Sequence, residues 1–222
     1  MSGLVVMNRL ETLIEKYGVS HQLATKLLEL GRVRPVAKGS FVVFKEQTVD
    51  FLTFPLEGRF GLSSSCIERA NSVFSIITPG TALNEVQLLL REDCLADILA
   101  TKNSVVLQVS FSACEVLLKE CIEFSNFLGV SLAKKQRVFH TLFQLRAMKS
   151  NTEKVCRAVK VIAEMSDNNV AAINLISLAS LLYMSRNTVS KEIKKLIEQG
   201  GLEEVEGGYV VNNLQVGEDC SL

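Results

Sequence analysis

Histidine is almost missing from this sequence: His21 and His140 are the only two. Two histidines far apart, neither in a strand-like run, cannot build a His/carboxylate metal cluster or a nucleophile beside its base. An enzyme is therefore not expected; no catalytic residue and no metal ligand is assigned. An excess of charge of either sign is missing too, with 24 Lys and Arg against 24 Asp and Glu. That excludes a global attraction to nucleic acid, so any such binding must come from a local patch. The cysteines, at 66, 94, 114, 121, 156 and 220, form no C-x-x-C pair. They read as reduced thiols. Cys114 and Cys121, seven apart on one helical face, could pair only after rearrangement and are read instead as small buried hydrophobes. No run of roughly 18 apolar residues exists to span a membrane. Residues 1–9 lack the basic start and long apolar core of a signal peptide, so a cytoplasmic protein is expected.

What is present is a chain of 222 residues with 48% hydrophobic content. This suffices for one large domain or two modest ones. Residues 177–196 form the most informative stretch. Leu178, Ala179, Leu181 and Leu182 give a first short helix its apolar side, and Met184-Ser185 is a turn. Ser185 stands where an N-cap belongs. Beyond it, Val189, Ile193, Leu196 and Ile197 make a buried stripe at helical spacing. The polar residues at the start of that second helix are Arg186, Asn187, Thr188, Ser190 and Lys191. All can donate hydrogen bonds and none is acidic, as suits a helix reading base edges in the major groove. Two helices at this spacing also occur as a plain helical hairpin. However, Leu202-Glu203-Glu204-Val205-Glu206-Gly207-Gly208-Tyr209-Val210-Val211 follows at once. Two apolar runs about a Gly-Gly turn predict a hairpin, and with it a winged helix.

Ser185-Arg186-Asn187-Thr188-Val189-Ser190-Lys191 followed by Leu196-Ile197-Glu198-Gln199-Gly200-Gly201-Leu202 resembles the DNA-binding end of the catabolite-activator and fumarate-nitrate regulator (CRP/FNR) family. The rest of the chain is similar in order. Residues 8–31 are expected to be helical, broken at Gly18 and restarted at Ser20. Strands are expected at 41–44, 51–56, 59–62, 73–77, 96–101 and 105–109, as in an antiparallel sandwich or jelly roll. A short helix is inserted over 83–90. The turns Lys38-Gly39-Ser40-Phe41, Leu56-Glu57-Gly58 and Thr78-Pro79-Gly80 are similar to those of a cyclic-nucleotide-binding β-roll.

A long helical run covers 112–148, with Ser112 as a possible cap and a break near Glu123-Phe124-Ser125. It carries two apolar stripes: Leu128, Leu132, Phe139, Leu142 and Phe143, and Phe127, Val138, Leu145 and Met148. Two stripes imply two neighbours. One is the helix's own β-roll and the other is either the same helix of a second subunit or more of the monomer. Lys134 and Lys135 on the seam or its flank weaken a pure leucine zipper. Ser150-Asn151-Thr152-Glu153 marks a new start, with Asn151 or Thr152 as N-cap. A helix over 152–166, a loop at 167–169 and a short strand at 170–173 lead to the helix-turn-helix stretch at 177–196. Residues 213–222 are polar and expected to fray.

The expected class is thus α+β: an N-terminal antiparallel, jelly-roll-like β-roll, a long dimerisation helix and a C-terminal winged helix-turn-helix. Residues 1–148 form a cyclic-nucleotide-binding-like effector domain that includes the helix at about 112–148, and residues 149–222 the DNA-binding domain. This last segment carries eight Lys and Arg against ten Asp and Glu, so positive charge is local, at Arg186, Lys191, Lys194 and Lys195.

The resemblance implies a transcriptional regulator that binds double-stranded DNA as a homodimer on a pseudo-palindromic site. It also implies RNA polymerase as a partner and a signal received at the β-roll. Ser185, Arg186, Asn187, Thr188, Ser190, Lys191 and Lys194 would make the DNA contacts. The family's Gly-Glu pair for the cyclic AMP ribose aligns with Asn84-Glu85, and its Arg-Ser pair for the phosphate falls at Cys94-Leu95, with Arg91 three residues early. An anionic phosphate needs a cation or N–H donors, so cyclic AMP is not the expected effector. An iron–sulfur centre needs clustered thiolates, and no cysteine precedes Cys66. Haem, for which His21 and His140 are the only histidine ligands, stays open, as does another small-molecule or redox effector. The alternative is a ligand-binding or protein-interaction module whose helix-turn-helix does not read DNA.

Overall fold

The computed structural model describes residues 2–63, 73–164 and 169–212. Cys66, Cys220, the expected helix end and loop at 165–168, and the polar end at 213–222 lie outside the described residues. The chain divides into two compact units, one built on Met1–Ser63 and Ile77–Gln136, the other mainly on Arg137–Leu222.

The first unit opens with α1 (Ser2–Tyr17) and α2 (His21–Leu30). Gly18 leaves the helix with φ +67°, and the Ser20 hydroxyl caps α2 by accepting from the Leu23 N–H at 3.2 Å. Then come β1 (Gly31–Val36), β2 (Phe41–Val43), β3 (Phe51–Glu57), β4 (Phe60–Ser63) and β5 (Val73–Ile77). The helix α3 (Glu85–Leu90) precedes β6 (Asp97–Ala100) and β7 (Ser104–Ser110). Two antiparallel sheets result, in the orders β1-β7-β3 and β2-β6-β4-β5. This is the expected roll with the expected helix inserted in it.

The strand β1 is an addition to the expected set. Arg32, Arg34 and Pro35 are exposed along it, so it lacks an apolar signal. Proline costs nothing there because β1 is an edge strand, paired only with β7. In contrast, β3 is buried from Leu52 through Leu56. It pairs with β7 and touches α1, α3 and α4, which explains why it is apolar at Phe51, Leu52, Phe54, Pro55 and Leu56, with Thr53 as the one buried polar residue among them. Gly58, at the turn between β3 and β4, has φ +88°, and a Cβ there would lie 2.1 Å from the Ser104 hydroxyl oxygen. Only glycine fits that position.

The next helices are α4 (Phe111–Glu120) and α5 (Ile122–Ala147). Two sequence expectations change here. Ser110, not Ser112, caps α4, accepting from the Ala113 N–H at 3.3 Å. The break falls at Cys121, in extended backbone, rather than at 123–125. The two stripes of α5 also mix. Leu128 and Leu142 are buried with Phe127, Val138 and Leu145, while Phe139 and Phe143 are 51% and 69% exposed.

In the second unit α6 (Asn151–Glu164) leads through β8 (Val170–Ala171) to α7 (Leu175–Leu182) and α8 (Arg186–Glu198), then β9 (Leu202–Val205) and β10 (Gly208–Val211). The cap of α6 is Ser150, whose hydroxyl accepts from the Glu153 N–H at 3.3 Å. Asn151 and Thr152 stand inside the helix. Val155, Val159 and Ile162 of α6 meet Leu178 and Leu182 of α7 and Val189, Ile193 and Leu196 of α8 in one core. The three strands form a sheet of order β8-β10-β9. Its Gly-Gly pair does two different jobs. Gly207 takes the left-handed turn at φ +84°, whereas Gly208 is needed because a Cβ would lie 2.1 Å from the Ala171 carbonyl oxygen. The chain is an α+β fold with a winged helix-turn-helix at its C-terminal end.

Candidate nucleic-acid interface and effector pocket

The helix-turn-helix is framed by two side-chain caps. Asn174 caps α7, accepting from the Ser177 N–H at 2.8 Å, so this helix begins two residues before the expected stretch. Ser185 caps α8, accepting from the Thr188 N–H at 3.0 Å, and its hydroxyl also lies 2.8 Å from that of Thr188. Between the caps, Tyr183 takes a left-handed conformation at φ +55°, unfavourable for a bulky side chain. The residue is 68% exposed, and the Arg146 guanidinium lies over its ring, 4.3 Å from the centroid. This cation–π contact offsets part of the backbone strain.

Along α8 the buried stripe is Val189, Ile193 and Leu196. Asn187, Lys191 and Lys194 repeat at i, i+4 and i+7 on the opposite, exposed face. Arg186 is exposed at the helix start, with Ser185; Thr188 and Ser190 are half-buried on the two flanks. Among the described residues, Arg186, Asn187, Lys191 and Lys194 have no side-chain hydrogen bond or ion pair. The seven expected residues therefore share the N-cap and the first two and a half turns of one helix, and the side chains of Arg186, Asn187, Lys191 and Lys194 are open to solvent. On the wing, Glu203, Glu204 and Glu206 are exposed. Tyr209, opposite Glu204 in the ladder, has its pKa raised by burial and further by Glu204.

The turn before α3 is a different kind of place. Asn84 holds a left-handed conformation at φ +71°, and its amide donates to the Phe51 carbonyl at 3.1 Å. Glu85 is 1% exposed. Its Oε2 takes the Lys135 ammonium at 2.5 Å, and its Oε1 accepts from the Ser131 hydroxyl at 2.6 Å. Lys135 also donates to the Ala82 carbonyl at 3.0 Å, and Ser131 accepts from the Ala82 N–H at 3.0 Å. Lys135 is thus no part of an exposed helix seam; it belongs to a closed polar cluster joining α3 to α5. Sequence reasoning missed this partnership because 50 residues separate the two charges.

Arg91 is likewise engaged. It pairs with Glu115 and lies 5.9 Å from the centre of the Phe111 ring. Cys94 is buried and Leu95 exposed. Cys114 is buried and its thiol is pushed up to about 12, by burial first and Glu115 second, which keeps it unreactive. A cavity of about 380 Å³ lies elsewhere in the same unit, lined by Lys16, Tyr17, Glu123, Phe127, Val130 and Lys134 among others. Asn84 and Glu85 do not line it. Among the described residues no group of three His, Cys, Asp or Glu could hold a metal ion, and no helix is long and apolar enough to cross a membrane.

Neither a protein-family model nor a curated protein matches the sequence. Solved structures do match. CLP of Xanthomonas campestris, a c-di-GMP responsive global regulator, has a TM-score of 0.70 at 14% identity, over 87% of this chain and 100% of that one. A mutant of CooA from Carboxydothermus hydrogenoformans has a TM-score of 0.69 at 17% identity, over 94% and 93%. A CRP-family transcriptional regulator from Thermus thermophilus has a TM-score of 0.62 at 14% identity, over 82% and 92%. Together with the β-roll, the long α5 and the winged helix-turn-helix, these likenesses give the chain the fold of the CRP/FNR-type transcriptional regulators.

Proposed function

We propose that the protein is a sequence-specific DNA-binding transcriptional regulator that acts as a homodimer in the cytoplasm, with RNA polymerase as the partner its fold suggests. The observation that carries this reading is the open face of α8. Asn187, Lys191 and Lys194 project on one side, Arg186 stands at the helix start, and no protein partner among the described residues claims any of them. Arg186 reads a guanine through O6 and N7. Asn187 suits adenine, and Lys191 and Lys194 meet a base or phosphates. Ser185, Thr188 and Ser190 hold phosphates or flank bases. The acidic wing stands off the duplex.

Residues 1–148 act as the effector domain and 149–222 as the DNA-binding domain. An effector read at Asn84 and Glu85 would have to displace Lys135 and Ser131 from the carboxylate. Arg91, the arginine nearest to this turn in sequence, is paired with Glu115 instead. Cyclic AMP is a poor candidate on both counts.

Arg186→Ala tests the reading. It should cost about 1–3 kcal/mol on the preferred site and relax the choice of base at one position, as measured by fluorescence anisotropy on a set of single-base variants. An equal loss on every duplex would reduce Arg186 to a phosphate contact. A second reading, a protein-interaction module, draws on Glu203, Glu204 and Glu206, exposed on the wing. Absence of DNA binding even at low salt would favour it.

A further inference from the structure

We infer that Thr152, on a different helix, is a positioning residue for the DNA-reading face of α8; the inference rests on the DNA-binding reading above. Thr152 lies in the first turn of α6. Its hydroxyl donates to Glu192 Oε2 at 2.6 Å and accepts from Lys195 Nζ at 3.3 Å. One neutral side chain therefore engages two oppositely charged groups of α8, three residues apart.

Two consequences follow from what surrounds it. Glu192 is the only acidic residue on α8 before its last position, Glu198. Left free, its carboxylate would lie one residue from Lys191, on a helix whose other polar groups are donors or cations, and would repel phosphate. Held by Thr152, it turns towards α6, between the buried stripe and the Thr188 flank. The second consequence is angular. α6 and α8 also share an apolar core, to which Val155 and Val159 contribute with Val189, Ile193 and Leu196. Apolar packing is non-directional and tolerates small rotations of a helix about its axis. Hydrogen bonds at 2.6 and 3.3 Å do not. Thr152 thereby fixes the direction in which Asn187, Lys191 and Lys194 project. It also lies two residues beyond Ser150, the cap that follows the end of α5, so the bonds tie α8 to the first turn after the long helix.

The test uses the full-length chain with Thr152→Ser, Thr152→Val, Glu192→Gln and the Thr152→Val/Glu192→Gln pair. Affinities are measured for a duplex selected by the wild type and for a scrambled one, and each variant is also melted. Thr152→Val should reduce the ratio of the two affinities about tenfold, the worth of one well-placed hydrogen bond to a charged group. Thr152→Ser should stay within about twofold of the wild type. In the Glu192→Gln background the valine change should do less, in both the affinity ratio and the melting temperature, because the hydroxyl then bonds a neutral amide oxygen rather than a charged carboxylate. An unchanged ratio for Thr152→Val, or effects that simply add in the double variant, overturns the inference. A wild type that does not discriminate between duplexes defeats the DNA reading itself and Thr152's part in recognition with it. The thermal cycle then tells whether the network fails too.

Discussion

Replacing Phe139 and Phe143 together by aspartate is expected to convert a dimer into a monomer while leaving the protomer folded. Both residues are more than half exposed, so their loss should cost the protomer little. They end a series on α5, Ile122, Ser125, Gly129, Leu132, Gln136, Phe139 and Phe143, whose spacing alternates three and four. In the proposed homodimer this face would form the seam with the same helix of a second copy about a twofold axis. The four rings that two protomers would cover are worth on the order of 5 kcal/mol, after allowing for the surface already buried. Four carboxylates at the seam would remove this and add repulsion, weakening association roughly a thousandfold or more. Light scattering should report a fall from twice the protomer mass to the protomer mass, with an unchanged circular dichroism spectrum. Binding to a two-half-site duplex should fall with it. A variant that remains dimeric would show that α5 is not the interface.

Lys135→Met should have the largest effect on stability of any single change considered. It keeps the length of the side chain and removes the charge, leaving Glu85 buried with Ser131 as its only partner. Breaking a buried pair from one side costs about 3–5 kcal/mol; Lys135 is about a quarter exposed, so we expect about 3 kcal/mol. For a chain of this length that is ~6–12 °C in melting temperature. Adding Glu85→Leu should recover most of the loss, because an apolar pair leaves no charge unpaired. An unchanged melting temperature in Lys135→Met would mean that the pair does not hold α3 to α5. Loss without recovery in the double variant would trace the effect to packing rather than charge.

Both predictions depend on features that differ in how far the sequence betrays them. The winged helix-turn-helix was legible because its signals are local. Ser185 caps within three residues, the stripe of Val189, Ile193 and Leu196 repeats at helical spacing, and Gly207 marks a two-residue turn. The core strands were legible for a similar reason, as β3 is buried from Leu52 through Leu56 and is apolar there at every position but Thr53. β1 escaped because an edge strand needs neither alternation nor an N–H at Pro35. The caps slipped by one or two residues, from Ser112 to Ser110 and from Asn151 or Thr152 to Ser150, because neighbouring polar residues are locally equivalent and only packing chooses between them.

The polar cluster around Glu85 was illegible in principle. Its Glu was assigned by position in a turn, and its Lys was assigned to a helix seam. Nothing in either segment tells that they meet. The same holds for Thr152 and Glu192, 40 residues apart. Long-range polar contacts have no periodicity: one occupies the turn before α3, the other joins the first turn of α6 to α8.

The most direct measurement is selection of duplexes from a random pool by the purified full-length protein at low salt, followed by a salt titration of the winner. The expected winner is a pseudo-palindrome with half-site centres about one helical turn, roughly 10–10.5 bp, apart or a multiple of it. Affinity should fall steeply with salt as the Arg and Lys contacts to phosphate are screened. Failure to bind any duplex at any salt would contradict it and leave the helix-turn-helix as a protein-binding surface.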